Sequence, residues 1–355
     1  MIFKNNCVTF AEDILTMRRL IIILLVALLP ATASAQLYAM RDKVANGYDF
    51  WLYLPKDYKQ PSSSKRASKD AKPIVLFLHG RSLCGNDLDR VLKYGPLDAL
   101  KAGLDIDAVI VAPQNPGGWW SPERVMSIVD WVSDRYNVDN NRLYVLGMSL
   151  GGYGTIDFAA TYPDRVAAAM ALCGGSTLRN VDGLREVPLW IMHGTADKDV
   201  PVEQSRRVKR MMKSGGKTPR LRYKELWGVK HSLLARVFYL EECYDWLFDH
   251  SLKGRRKVNR WINISRKDMK EAYEGLQRGS VKYDIIDSKG GASTSKPKQQ
   301  QGKAEATPEG YYVVKQGDTL WRIANSNSLS VSELCKLNGI KESDVIRPGD
   351  KLKVK

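Results

Sequence analysis

Residues 142–153 read RLYVLGMSLGGY, and this stretch decides the fold. It begins as the apolar run of a buried strand and continues, without a linker, into residues 150–162, which have the composition of a helix. Gly147 and Gly151 stand on either side of Ser149, at positions where any Cβ would collide with the neighbouring strand or helix. The pattern predicts a sharp strand–turn–helix with Ser149 exposed at its tip as a candidate nucleophile.

Further apolar runs typical of buried strands recur on both sides of this stretch. They cover residues 37–40, 48–54, 74–78, 108–112, 143–146, 167–172, 189–192 and 221–226, with a hairpin signal at Asn46-Gly47 between the first two. Helical patterns lie between several of them, over residues 87–101, 122–136, 150–162 and 233–248. Strands that alternate with helices predict an α/β fold with a doubly wound, mostly parallel sheet. Ligands of such sheets bind beyond the carboxyl ends of the strands.

A serine hydroxyl becomes a useful nucleophile only when an oriented base removes its proton. The candidate acid for orienting that base follows the strand at 189–192, in a segment that contains Asp197 and Asp199. Asp197 is favoured, because Asp199 directly precedes Val200-Pro201 and can instead cap the next helix. Asp199 stays open as the alternative.

His231 is the candidate base. It follows the strand-like segment 221–226 and precedes the last helix of this region, whereas His250 lies beyond the end of that helix. His79 and His193 each stand before a glycine at a strand end, and we interpret both as residues that structure their loops through hydrogen bonds.

The oxyanion that forms on an attacked carbonyl needs preplaced donors. The backbone amide of Leu150 and the main-chain N–H of Arg81, in the loop after residues 74–78, are the candidates. Trp119 and Trp120 follow the strand at 108–112 and are candidate substrate-binding residues, since adjacent aromatic rings can stack on a sugar or an aromatic acyl group. Alternatively, one of the two packs against the helix below.

Residues 36–250 resemble the α/β-hydrolase superfamily, and within it the secreted esterase and predicted-peptidase group that includes feruloyl esterases and polyhydroxybutyrate-depolymerase-like enzymes. The matching motifs, in chain order, are Phe77-Leu-His-Gly80, Gly85-Asn-Asp87, Gly95-Pro96, Ala112-Pro-Gln114, Gly147–Gly154, Tyr162-Pro163, His193–Asp197 and Val200-Pro201. The resemblance implies Ser149 as nucleophile, Asp197 as acid and His231 as general base, with no metal and no organic cofactor. Ser82 departs from the family pattern, which often has glycine there, so the shape of the acyl pocket is not implied.

The first 35 residues have the pattern of a secretory signal. Met17-Arg18-Arg19 precedes ten apolar residues, Leu20–Leu29, and Ala33-Ser-Ala35 follows as a cleavage site. Ten apolar residues are too few to span a bilayer, so the mature chain is predicted to start at Gln36 without a transmembrane segment, Met17 being the initiator. The predicted location is the periplasm or cell envelope of a bacterium.

The formal net charge of +16 is spread unevenly along the chain. Residues 251–310 contain 14 Lys and Arg against 7 Asp and Glu, and residues 288–308 cannot bury a core, so we interpret 251–310 as a basic flexible linker. An exported basic linker points to anionic cell-wall polymer or a membrane surface rather than nucleic acid, with a solvating role as the alternative.

The cysteines of the mature chain indicate no metal site. Cys84, Cys173, Cys243 and Cys335 are widely spaced and form no CxxC or Cys/His cluster. Export permits a disulfide, but this spacing does not distinguish a disulfide from buried thiols.

Residues 311–355 form a compact pattern of strand, two helices and closing strand. They resemble a LysM domain, by Val314–Ala324, Asn338-Gly339 and Ile346–Leu352. The resemblance implies a βααβ module that binds N-acetylglucosamine-containing glycan, usually peptidoglycan. It also implies a shallow groove between two loops, formed by Gly317, Asp318, Thr319, Ile346, Arg347 and Pro348.

These features predict an exported serine carboxylesterase that acts on esters of carbohydrate or cell-wall-associated material and is tethered to peptidoglycan. Two alternatives stay open: a serine peptidase of the same fold, and a wall-binding protein whose hydrolase domain is inactive. The fold does not identify the acyl group or the alcohol of the substrate.

Overall fold

The computed structural model describes residues 34–60, 69–253 and 262–287, together with parts of the C-terminal region. In that region the described positions are 310–314, 320, 323, 324, 327, 329, 331–340, 346 and 349–354. The chain separates into two compact units, residues 1–292 and 293–355, and each is considered by itself. The signal predicted over residues 1–35 lies outside the described residues except for its last two positions.

The described part of the larger unit is built around a nine-stranded sheet. Its strands are β1 (Ala35–Met40), β2 (Phe50–Leu54), β3 (Lys72–Leu78), β4 (Val109–Pro113), β5 (Val138–Met148), β6 (Ala168–Leu172), β7 (Leu189–Gly194), β8 (Leu221–Leu226) and β9 (Tyr283–Asp287). Their spatial order is β8-β7-β6-β5-β3-β4-β2-β1-β9. Neighbouring strands are parallel except for β2, which is antiparallel to both β1 and β4. The prediction of a doubly wound, mostly parallel sheet is confirmed.

Helices connect most of these strands. They are α1 (Pro96–Ala102), α2 (Pro122–Arg135), α3 (Leu150–Thr161), α4 (Glu203–Ser214), α5 (Glu241–Phe248) and α6 (Arg266–Glu271), with 3-10 turns at Arg81–Leu83, Leu88–Lys93, Asp182–Glu186 and His231–Tyr239. Two predicted helices are interrupted. The first breaks at Gly95-Pro96, where Gly95 has φ 95° and the proline restricts the residue before it. The second breaks at Leu240, which is extended.

Apolar side chains are buried on both faces of the sheet. Along β3, Val75 and Phe77 belong to one hydrophobic cluster, while Ile74, Leu76 and Leu78 belong to the other. Successive side chains of a strand point to opposite faces, so a continuous apolar run is what a strand covered on both sides requires. The continuous apolar runs of these strands are therefore explained by the position of the sheet between two hydrophobic clusters.

The interpretation of residues 251–310 as a linker is wrong for residues 262–287. Ile262, Ile264 and Met269 are buried in the same cluster as Phe77, and β9 pairs in parallel with β1 as an edge strand of the main sheet. The low apolar density of this segment concealed its packing, because only a few of its side chains, among them Ile262, Ile264 and Met269, are buried. Residues 288–309 lie outside the described residues.

The same segment packs against the 3-10 turn His231–Tyr239. Arg236 donates through Nη1 to the carbonyl oxygen of Lys270 at 2.9 Å, and the rings of Tyr239 and Tyr273 are 4.7 Å apart. This turn begins at the candidate base, so residues 262–287 support the element that carries it.

The smaller unit is described in part. Tyr311–Val313 and Lys351–Lys353 form an antiparallel pair, which we call β10 and β11, and Val331–Asn338 forms helix α7. Val314, Ile323, Leu334 and Val354 belong to its small buried core. Strands that close around helical segments fit the predicted βααβ arrangement.

We expect Ile264→Ala to lower the free energy of unfolding by about 2–5 kcal/mol, because Ile264 is 1% exposed and the truncation leaves a cavity. Ile285→Ala in β9 is the matched control, since Ile285 is 59% exposed and its loss should change stability by no more than about 0.5 kcal/mol. Urea unfolding of the full chain measures both. Equal effects of the two substitutions would contradict the packing of this segment.

Candidate active site

Ser149 lies at a strained turn between β5 and α3. Its backbone has φ 59° and ψ −122°, a region that residues with a side chain rarely adopt. A Cβ on Gly151 would lie 1.7 Å from the carbonyl oxygen of Leu78, and one on Gly147 would lie 2.4 Å from the carbonyl oxygen of Gly151. The two glycines therefore permit the close approach that the turn requires, as the sequence pattern predicts.

His231 and Asp197 form a close pair. Nδ1 of His231 lies 2.7 Å from Oδ2 of Asp197, whose side chain is fully buried, while the His231 side chain is 17% exposed. A carboxylate only accepts hydrogen bonds, so the proton of the neutral imidazole is on Nδ1 and Nε2 is left as an acceptor. His231 lines the same cleft as Ser149, and Asp197 lies buried behind it.

The second oxygen of Asp197 is held by its own loop. Oδ1 accepts hydrogen bonds from the backbone amides of Asp199 and Val200, each at 2.9 Å. Asp199 itself is exposed at the rim of the cleft. Of the two candidate acids, only Asp197 therefore contacts the imidazole.

His193 and His79 are buried loop residues, in agreement with their interpretation from the sequence. Nε2 of His193 lies 2.9 Å from the carbonyl oxygen of Val200, and burial lowers the pKa of the ring. His79 accepts a hydrogen bond at Nε2 from the amide of Asn115, and burial lowers its pKa to about 4. Both rings are thus neutral at pH 7 and fix loops on either side of the cleft.

Arg81 and Leu150, the candidate oxyanion donors, are each the first residue of a helical turn. The first amides of a helical turn have no acceptor within it and are available to a ligand. Both residues line the cleft with Ser149. A Cβ on Gly80, next to Arg81, would lie 3.4 Å from Cβ of Ser149, so this loop is adjacent to the candidate nucleophile.

The cleft that contains Ser149 and His231 has a volume of about 710 Å³. Trp119 is 56% exposed at its edge, and its ring is 5.2 Å from that of Tyr153. The prediction that Trp120 binds substrate is wrong. Its side chain is 5% exposed and donates through Nε1 to the carbonyl oxygen of His79. The alternative that one tryptophan packs inside is the one the structure shows.

Two residues at the site were missed by the sequence analysis. Cys173 follows β6 with φ 41°, and its sulfur lies within 4.8 Å of the ligand atoms of Asp197 and His231. Its position directly after β6 could have indicated a site residue, because ligands of such sheets bind beyond the carboxyl ends of the strands. Tyr94 lines the cleft from the connection before α1, and no local pattern indicated it.

The ligand atoms of Cys173, Asp197 and His231 lie within 4.8 Å of one another, as in a metal site, but Nδ1 of His231 and Oδ2 of Asp197 already bond to each other at 2.7 Å. Burial and the nearby Asp197 raise the pKa of the Cys173 thiol well above its usual value, so the side chain is a neutral thiol beside the pair. Cys84, Cys173 and Cys243 are free, buried thiols, and Cys335 is also buried.

Ile346 is the one candidate glycan-groove residue among those that the structure describes. Gly317, Asp318, Thr319, Arg347 and Pro348 lie outside the described residues. Ile346 is partly buried against the core of the smaller unit. Among the described residues there is no helix long and apolar enough to cross a membrane.

Comparisons with known proteins give separate matches for the two parts of the chain. The LysM domain family matches residues 312–355. Acetylxylan esterase A of Emericella nidulans is 37% identical over 70 residues, which is 20% of this chain and 22% of that protein. The probable peptidoglycan endopeptidase LytE of Bacillus subtilis is 50% identical over 44 residues, which is 12% of this chain and 13% of that protein.

The chain thus spans between about an eighth and a quarter of the length of these two curated relatives. A thermostable esterase of known structure is 26% identical and superposes with a TM-score of 0.48, over 62% of this chain and 64% of its own. The sheet order and the turn at Ser149 describe the larger unit. The family match describes the smaller unit. The chain therefore combines a mostly parallel α/β sheet, part of which is similar in sequence to acetylxylan esterases, with residues 312–355 that match the LysM domain family.

Proposed function

We propose that this protein is an exported serine carboxylesterase that acts on esters of carbohydrate or cell-wall-associated material and is held at its substrate by the LysM domain. One observation carries the proposal: His231, which contacts Asp197 at 2.7 Å, lines the same cleft as Ser149. Part of the chain is similar to acetylxylan esterases, which supports ester hydrolysis over peptide hydrolysis.

Ser149 is the nucleophile of the proposed reaction. Its hydroxyl oxygen bonds to the ester carbonyl carbon, the carbonyl electron pair moves to oxygen, and the hydroxyl proton passes to Nε2 of His231. Collapse of this tetrahedral intermediate expels the alcohol, which takes the proton back from His231. Water then repeats the sequence on the acyl-enzyme and releases the acid and free Ser149.

Asp197 keeps the imidazole in the required tautomer and orientation, and its carboxylate stabilises the imidazolium that forms. Its fixed geometry comes from the two backbone amides that bind Oδ1. Oδ2 is nearer to His231, at 2.7 Å, than to Nε2 of His193, at 3.4 Å, so the carboxylate does not have to be reoriented during the reaction.

The amides of Arg81 and Leu150 stabilise the oxyanion. Both are unpaired within their own helical turns, and both are fixed by backbone rather than by flexible side chains. Preplaced donors of this kind are worth more in a partly enclosed cleft than in water, because they need no reorganisation as charge develops.

Trp119 and Tyr153 provide an aromatic edge for the substrate. An exposed tryptophan beside a half-buried tyrosine, with the two rings tilted by 50°, offers aromatic faces on which a sugar ring or an aromatic acyl group can stack. Esters of carbohydrate fit this edge and match the material to which a LysM domain would bring the enzyme.

Export and tethering complete the proposal. The signal predicted over residues 1–35 would deliver the enzyme to the cell envelope. There the LysM domain would bind N-acetylglucosamine-containing glycan. A tether raises the local concentration of the catalytic unit near bound substrate without adding a contact to the active site.

Ser149→Ala and His231→Ala should each lower kcat by at least about 10³-fold, while the double variant is scarcely worse, because residues that act as one unit are not additive. The measurement is turnover of acetyl, butyryl, feruloyl and aminoacyl substrates by the full chain. Near-wild-type turnover of an activated ester by His231→Ala would contradict the assigned base. Preference for the aminoacyl substrate would favour a peptidase.

Asp197→Ala should reduce kcat far more than Asp199→Ala, by about 10²-fold or more, since only Asp197 contacts the imidazole. Asp199→Ala is the matched control, because it removes the same group from the same loop while the amide that binds Asp197 remains. A reversed ranking would transfer the role of the acid to Asp199.

Deletion of residues 288–355 should leave turnover of small soluble esters unchanged, because the described cleft and its supports end before that point. The same deletion should abolish retention on isolated peptidoglycan, measured by co-sedimentation, and reduce hydrolysis of wall-associated ester alone. A truncated protein that still sediments would show that the glycan-binding surface lies outside the LysM domain.

A further inference from the structure

The Tyr94 side chain has an unusually well-fixed place in the cleft. Its ring packs edge-on to Phe77 and stacks on Phe238, with centroid distances of 5.9 and 6.4 Å. The next residue, Gly95, has φ 95°, and a Cβ there would lie 2.4 Å from the Phe77 ring. Ring packing and backbone together therefore hold the tyrosine hydroxyl in one position.

The hydroxyl of Tyr94 is positioned to act as a donor. Its oxygen accepts a hydrogen bond from the backbone amide of Gly80 at 2.6 Å, and the side chain of Ser82 is a second hydrogen-bonding neighbour. A phenol that already accepts from an amide still has its O–H proton to donate. Burial raises its pKa to about 12, so the proton is retained at neutral pH.

Tyr94 is also close to the candidate nucleophile. The position that a Cβ on Gly80 would occupy is 2.8 Å from the Tyr94 hydroxyl and 3.4 Å from Cβ of Ser149. The hydroxyl and Ser149 thus face the same small volume, and His231 lines the same cleft.

The amide of Gly80 is occupied by this contact. It donates to Tyr94 and is not available to a substrate oxygen. Donation from an amide also polarises the phenol, and hydrogen bonds in such a chain strengthen one another. In the loop after β3, the amide of Arg81 can therefore donate directly to a substrate oxygen. The amide of Gly80 donates to the Tyr94 hydroxyl, which can in turn donate to the substrate.

We propose that the Tyr94 hydroxyl is a further catalytic donor, which binds the substrate oxygen that becomes the oxyanion; the assignment rests on the proposed esterase function. As the Ser149 oxygen bonds to the carbonyl carbon, the carbonyl electron pair moves to oxygen and the serine proton passes to His231. The oxyanion then accepts from Tyr94 O–H and from the amides of Arg81 and Leu150. No proton leaves Tyr94, so the step is balanced without another reactant.

Tyr94→Phe tests this assignment, because it removes only the hydroxyl and keeps the ring between Phe77 and Phe238. We expect kcat for p-nitrophenyl acetate to fall about 10²-fold with little change in KM, since loss of one oxyanion donor affects the transition state more than the ground state. Affinity for a boronic acid, which forms a tetrahedral adduct with the serine, should fall in parallel. A purely structural role would lower stability without this selective loss.

Tyr144→Phe is the matched control. It removes a buried hydroxyl that donates to the carbonyl oxygen of His250 at 2.7 Å, and Tyr144 does not line the cleft. We expect it to reduce stability and leave kcat unchanged. If Tyr94→Phe does not fold, replacement of Tyr94 by 3-fluorotyrosine, whose hydroxyl is a stronger donor of nearly the same size, should raise kcat.

The possible failures are separable. Wild-type protein that turned over no ester would overturn the esterase function together with this assignment. Active wild-type protein with a Tyr94→Phe variant of equal kcat and equal boronic-acid affinity, or a fluorotyrosine variant of unchanged kcat, would overturn the role of Tyr94 alone.

Discussion

The close approach of β3 to the turn after β5 is the constraint on which the candidate site depends. The Leu78 carbonyl oxygen occupies the space where a Cβ on Gly151 would lie, at 1.7 Å. Because both flanking positions are glycine, the end of β3 and the start of α3 can meet, and the loop at Gly80 comes to lie beside Ser149. The strain at Ser149, of the order of 1–3 kcal/mol, is sustained by a sheet that is buried on both faces.

Around the turn at Ser149, the buried residues His79, His193 and Cys173 are neutral at pH 7. Burial lowers the pKa values of His79 and His193, and burial raises that of Cys173, so these neighbours are uncharged at neutral pH. The two histidines fix loops through hydrogen bonds, and none of the three residues adds a competing charge near the Asp197–His231 pair. Residues 262–287 support the other side, because they pack on the turn that begins at His231.

The sequence predicted the parts of the molecule that depend on local pattern. Continuous apolar runs gave the central strands, and the glycine spacing gave the turn at Ser149. The packing of residues 262–287 could not be read locally, because β9 pairs with β1 at the far end of the chain. Trp119 and Trp120 are chemically identical, and the direction of their loop alone decides which is buried. Tyr94 reaches the cleft through aromatic packing that no short motif records.

The most direct test of the central claim is covalent labelling of the wild-type chain with a fluorophosphonate, followed by peptide mapping with mass spectrometry. An activated serine is labelled only while its base and donors are in place. We expect a single adduct, on the peptide that contains Ser149, and its loss when the protein is unfolded in urea before labelling. An adduct on another residue, or the absence of an adduct on folded protein, would contradict the account.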